Sequence, residues 1–219
     1  STCYDETGQW EALQKLLPIM QKAGMVDADR VEELKQHAAI SKLKQCRDGD
    51  MLRAAWKGLP RAMQKHPAIV KAFADQSIEI EAPELNEEVL RSSLKREWTP
   101  ALLIPYGESG GKDLAARLKQ CEIWLKDHPE EPLLHLVLGR LCAREELWGK
   151  ARHHMIRSLE IEPTVGGYDS LGQLLERKGE LEIAMMCFRN ALRMNQGKEP
   201  LPLPSYHAQI TSTPIPEEQ

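Results

Sequence analysis

The dipeptide Leu138-Gly139 returns as Leu171-Gly172 after 33 residues, and the repeat carries its surroundings with it. Gly139 is followed 12, 16 and 19 residues on by Ala151, Met155 and Ser158, and then by Pro163. Gly172 is followed at those same three offsets by Ala184, Phe188 and Ala191. A unit of about 34 residues made of two antiparallel helices needs a small residue on each helix where the backbones cross, and a large apolar one beside it to fill the gap. A chain built this way buries one seam along its whole length. Its function then belongs to a surface made by stacking rather than to a catalytic pocket.

The offset pattern is that of the tetratricopeptide repeat, so the expected fold is all-α: a right-handed superhelical solenoid of antiparallel helix pairs. Prolines punctuate it. Pro67, Pro100 and Pro132 are 33 and 32 residues apart, each opening an apolar run, and Val165 stands 33 further on. Proline suits the first helical turn, where its missing N–H would have had no partner. Units are therefore expected at 67–99, 100–131, 132–164 and 165–197. Before them, Gly8, Trp10, Leu13 and Leu17 reproduce the spacing of Gly179, Leu181, Ala184 and Phe188, so residues 1–26 read as the second helix of a partial unit, kinked at Pro18. Residues 27–66 exceed one repeat, with Asp27 or Asp29 capping a long first helix and another helix after Asp50. Pro105 falls soon after Pro100, which predicts a short helix there. The tail, 198–219, is rich in proline; its Lys-Glu-Pro-Leu-Pro-Leu-Pro-Ser-Tyr stretch favours polyproline geometry and is expected to lie against the helices.

Apolar residues make up 42% of the 219, charged residues 28% and aromatic residues 5%, which suits helices with one buried stripe. A net charge of -4 gives no electrostatic reason to expect nucleic acid as a partner. The five cysteines contain no CxxC pair, so zinc-knuckle chemistry is excluded. Cys121, Cys142 and Cys187 fall on apolar helix faces as core residues. No run approaches the roughly 20 apolar residues of a membrane span, and no signal peptide opens the chain. Beginning at Ser-Thr-Cys-Tyr without Met, the sequence reads as a fragment whose N-terminal part has been removed.

No catalytic, cofactor or metal site is expected from the motifs. Gly107-Glu-Ser-Gly-Gly-Lys112 lacks the Ser or Thr after lysine that a phosphate loop needs, and has Tyr106 where the first glycine belongs. No GxGxxG follows a strand-like run. His153 and His154 are adjacent, pointing about 100 degrees apart on a helix, and with His128 and His135 they read as solvated or rim residues. The credible surface is the inner face lined by the first helix of each unit. It is expected to present Leu136, Arg140, Arg144, Asp169, Gln173 and Arg177, with Lys71 and Asp75 in comparable places earlier. Three arginines suit carboxylates of a peptide or an anionic small molecule through forked hydrogen bonds. The plainer alternative is helix-surface ion pairing with Glu145, Glu176 and Glu180, worth little per pair.

Ala55-Trp56-Lys57-Gly58-Leu59-Pro60, preceded by Gly8-Gln9-Trp10 and Leu17-Pro18 and followed by Leu102-Leu103-Ile104-Pro105-Tyr106-Gly107 and the two good repeats, resembles the HemY family over residues 4–195. These are proteobacterial inner-membrane proteins associated with haem and porphyrin biosynthesis. The resemblance implies two N-terminal membrane-spanning helices outside this sequence, anchoring a cytoplasmic portion. It also implies a late role in protohaem synthesis, organising pathway enzymes or handing on a porphyrin. Direct binding of haem or porphyrin is the competing reading, and an adaptor in lipopolysaccharide assembly a third. The same name is attached to a flavin-dependent protoporphyrinogen oxidase, whose dinucleotide motif this chain lacks. The resemblance carries over no catalytic residue.

Overall fold

The computed structural model describes residues 27–110 and 113–204. Within them every regular element is helical. The chain divides into two compact units, Ser1–Lys112 and Asp113–Gln219. The expectations for residues 1–26, including the Pro18 kink, for Gly111 and Lys112 of the glycine-rich loop, and for the tail beyond Pro204 lie outside the described residues.

The first unit contains α1 (Ala28–Lys44), α2 (Gly49–Lys57), α3 (Pro67–Glu79), α4 (Asn86–Arg96) and α5 (Leu103–Glu108), joined by single turns of 3-10 helix at Met63–Lys65, Pro83–Leu85 and Pro100–Leu102. Aspartates start α1 and α2: Asp27 accepts from the Arg30 N–H at 2.7 Å and Asp48 from that of Met51 at 2.8 Å. At 17 residues α1 is the longest helix described. Pro67 opens α3, and α5 has six residues. α1, α2, α4 and α5 all pack on α3. Their core includes Leu43, Leu52, Ile69 and Phe73, with the Trp56 and Phe73 rings 4.5 Å apart between centroids.

The second unit contains α6 (Leu114–Asp127), α7 (Pro132–Arg144), α8 (Trp148–Ile161), α9 (Val165–Arg177) and α10 (Leu181–Asn195). Each helix packs on its neighbour in sequence, α7 with α8 and α9 with α10 most extensively, and α7 also touches α9. Pro132 stands at the first turn of α7, while Thr164 caps α9 by accepting from the Gly167 N–H at 3.0 Å. Pro163 is exposed in the turn before it. Between the pairs, Arg152 of α8 meets Glu180 just before α10, and the Lys178 ammonium sits 5.4 Å from the centre of the Trp148 ring.

One closure ends four helices. The N–H groups of Ala82, Leu147, Glu180 and Lys198 donate to the carbonyls of Ser77, Cys142, Leu175 and Arg193 at 2.8 to 3.0 Å. The preceding residue must then adopt left-handed φ, and does so at Glu81 (56°), Glu146 (59°), Gly179 (78°) and Gly197 (71°). Glu146 and Gly179 are equivalent in the two pairs, so the same turn is made once with strain and once without.

Candidate binding face of the first helices

The face begins at the crossings that hold each pair together. A Cβ added to Gly139 would lie 2.6 Å from Met155 Cγ and 3.2 Å from both the Ala151 carbonyl oxygen and the Met155 nitrogen. At Gly172 the three atoms nearest the added Cβ all belong to the Phe188 ring, at 2.6 to 3.0 Å. Ala151, Met155, Ala184 and Ala191 are buried beside them, and Phe188 is half-buried. α7 and α9 thereby press one side onto their partners. The other side is the one on which the sequence placed its candidates.

Those candidates meet different fates. Arg144, Gln173 and Arg177 are exposed, and Arg140 and Asp169 are half-buried. Arg140 reaches from α7 to α9, its Nε donating to Ser170 Oγ at 2.9 Å, and that hydroxyl in turn donates to the Gly166 carbonyl at 2.7 Å. The guanidinium lies close over Gly166, where an added Cβ would stand in ordinary contact at 3.6 Å from its Nη2. Gln173 donates to Asp169 at 2.8 Å one turn away. Leu136, only 2% exposed, is a floor under the face rather than a contact offered to solvent. In the first unit Lys71 and Asp75 pair with each other at 2.5 Å across one turn of α3. Glu180, one of the counter-ions considered for the arginines, pairs with Arg152.

Of the histidines read as solvated or rim residues, His153 is exposed and His128 and His154 are half-buried, and only His135 overturns that reading. His135 is not a rim residue but 5% exposed, with Nε2 3.0 Å from the Pro129 carbonyl oxygen and Nδ1 3.1 Å from Nδ1 of His154 on α8. A carbonyl only accepts, so His135 carries its proton on Nε2 and its Nδ1 accepts from His154. Burial pushes both imidazoles below their usual range, His154 to about 4, with the neighbouring His135, His153 and Lys150 adding to the fall. Side chains 19 residues apart on two helices gave no sequence signal of meeting beyond their helical phase.

Cys46, Cys121, Cys142 and Cys187 are buried free thiols, and burial raises Cys121 to about 12 and Cys142 and Cys187 to about 11. They act as small hydrophobes, not nucleophiles. Among the described residues no three His, Cys, Asp or Glu side chains gather as a metal site, and no helix is long and apolar enough to cross a membrane. The sequence reading missed Ser170, Tyr168 and Asn190, all buried polar residues on the repeat helices. For Ser170 the signal was Gly166-Gly167 opening a helix, where poor helix formers imply a close approach.

No family model matches the chain, and no solved structure matches it. Over 200 residues, 90% of its length, the chain is 26% identical to Protein HemY of Escherichia coli (strain K12), and equally to Protein HemY of Escherichia coli O157:H7 and of Shigella flexneri. It spans about half the length of these curated relatives, 50% in each case. The likeness read from Trp56, Leu59, Pro60 and the repeats thus extends along almost the whole sequence, and the chain is similar to HemY.

Proposed function

We propose that the chain is the tetratricopeptide portion of a HemY-like scaffold. Its helix pairs stack as tetratricopeptide units, and the exposed side of the first helices grips segments of partner proteins without catalysing a reaction. The resemblance supplies the context: anchorage at the bacterial inner membrane, a cytoplasmic working face, and partners among the late enzymes of haem and porphyrin biosynthesis. The observation that carries the reading is the recurrence of one helix pair at a 33-residue spacing, Gly139 against Met155 and Gly172 against Phe188, with Arg144, Gln173 and Arg177 exposed on the first helices. Guanidinium groups at such positions suit peptide carboxylates.

Affinity purification of the intact protein from membranes, followed by mass spectrometry, tests the scaffold. Haem-pathway enzymes are expected with the wild type and are expected to be lost from an Arg144→Glu/Arg177→Glu variant whose helical circular dichroism is intact. Retention of the same partners by the variant refutes the arginine face, and enrichment of lipopolysaccharide-assembly proteins instead moves the reading to the envelope. Direct haem carriage is weakened by His135, whose two ring nitrogens are both engaged. A saturable Soret shift on titrating haem into the chain would restore it.

A further inference from the structure

After α10 the chain turns at Gly197 and runs on without helical structure through residues 198–204, Lys-Glu-Pro-Leu-Pro-Leu-Pro. Pro200, Pro202 and Pro204 carry no N–H, so between them the main chain offers only the donors of Leu201 and Leu203. An extended proline-rich segment makes no hydrogen bonds to itself. Its polar groups must find partners elsewhere.

Asn190 is that partner. It is 1% exposed; its Nδ2 donates to the Leu201 carbonyl at 2.7 Å, and its Oδ1 accepts from the Leu201 N–H at 2.8 Å. Both halves of one carboxamide thus read both main-chain groups of one residue. The buried Tyr168 on α9 interacts with the Asn190 side chain, and Arg193 Nε donates to the Glu199 carbonyl at 2.9 Å. Leu201 and Leu203 are half-buried. With the tail seated the carboxamide is shielded from water and commits both its oxygen and its nitrogen to one extended residue, a pairing matched to backbone rather than to any side chain.

We infer that Tyr168, Asn190 and Arg193 form a peptide-binding site for proline-flanked extended segments, occupied by the chain's own tail in the resting state and entered by displacement by a Pro-Leu-Pro segment of a partner protein. Recognition follows from the geometry. The central residue must own an N–H and therefore is not proline, its side chain is apolar, and the flanking prolines hold the backbone extended before binding, which lowers the ordering cost. The site is separate from the arginine face and stands or falls without it.

A fluorescent peptide of residues 198–204 is the probe, and Leu201→Pro in the full chain is the key variant. That change deletes the N–H that Asn190 reads while keeping the tail extended, and so removes an intramolecular competitor of roughly millimolar effective concentration. The variant is expected to bind the peptide saturably and at least about 10-fold more tightly than the wild type. Adding Asn190→Leu is expected to abolish that binding, and a peptide with N-methylleucine at the Leu201 position is expected not to bind. No saturable binding by a helical Leu201→Pro chain up to millimolar peptide overturns the proposal and leaves the tail a structural strap; undiminished binding after Asn190→Leu overturns it equally. Should Leu201→Pro fail to fold, amide exchange in the wild-type chain decides: excess unlabelled peptide is expected to accelerate exchange at the Leu201 amide, and an unchanged rate overturns the proposal.

Discussion

Adding one methyl group at each of the two crossings should separate rigid from yielding contacts. Glycine to alanine within a helix by itself favours folding by about 1 kcal/mol. At Gly139 the new Cβ must also clear the Ala151 carbonyl oxygen and the Met155 nitrogen, each 3.2 Å away, as well as Met155 Cγ at 2.6 Å. Met155 can change rotamer, but two backbone contacts on α8 yield only if the helix moves, an overpacking cost of about 1 to 3 kcal/mol. With three atoms to clear, two of them backbone, the cost falls in the upper part of that range, about 2 to 3 kcal/mol, so Gly139→Ala is expected to lose about 1 to 2 kcal/mol net. At Gly172 the three nearest contacts are all to the half-buried Phe188 ring, a side chain that can turn toward solvent. Gly172→Ala is expected to lie within about 1 kcal/mol of wild type and to be the milder change. Urea denaturation followed by circular dichroism, with Trp124 and Trp148 fluorescence reporting on the second unit, measures both. An unchanged m-value is needed for the comparison to count as stability. The reasoning fails if Gly139→Ala is as stable as wild type, or if Gly172→Ala costs more than Gly139→Ala.

Other consequences can be checked with the same preparation. Glu81→Gly and Glu146→Gly relieve left-handed φ at 56° and 59° and should each raise stability by about 0.5 to 1 kcal/mol, as a higher thermal midpoint, whereas Gly179→Ala should lower it. Folded His154 takes up its proton near pH 4 and the unfolded chain near 6.5, so between those values the unfolded state binds more protons. Stability should accordingly be flat above pH 6.5 and fall by on the order of 1 to 2 kcal/mol toward pH 4, discounted for partial exposure, and His154→Gln should flatten the slope. Cys46, Cys121, Cys142 and Cys187 should react with a thiol reagent at pH 8 only as fast as the chain opens, and prompt labelling of any of them would contradict their burial.

Much of the helical plan was legible without coordinates. Pro67, Pro132 and Val165 stand at the first residue of α3, α7 and α9, and Pro100 opens the turn before α5. Asp27 caps α1, and Pro105 belongs to a six-residue helix. Gly139 and Gly172 face Met155 and Phe188, as their offsets implied. These features are written within one or two turns of chain, where spacing alone decides which side chain faces inward and which N–H lacks a partner.

The polar detail was decided elsewhere. His135 meets His154, Arg140 takes Ser170, Arg152 takes Glu180 and Asn190 grips Leu201 over separations of 19, 30, 28 and 11 residues. Periodicity assigns a residue to a face. Whether two polar atoms on neighbouring helices approach to 3 Å depends on the axial offset and rotation of each helix, and shifts of an ångström in either make or break a hydrogen bond. The amino-acid order thus determined which surfaces are apolar and where each helix starts and stops, while only the packed tertiary structure decided which histidine is buried, which arginine is committed, and that the proline-rich tail has a receptor.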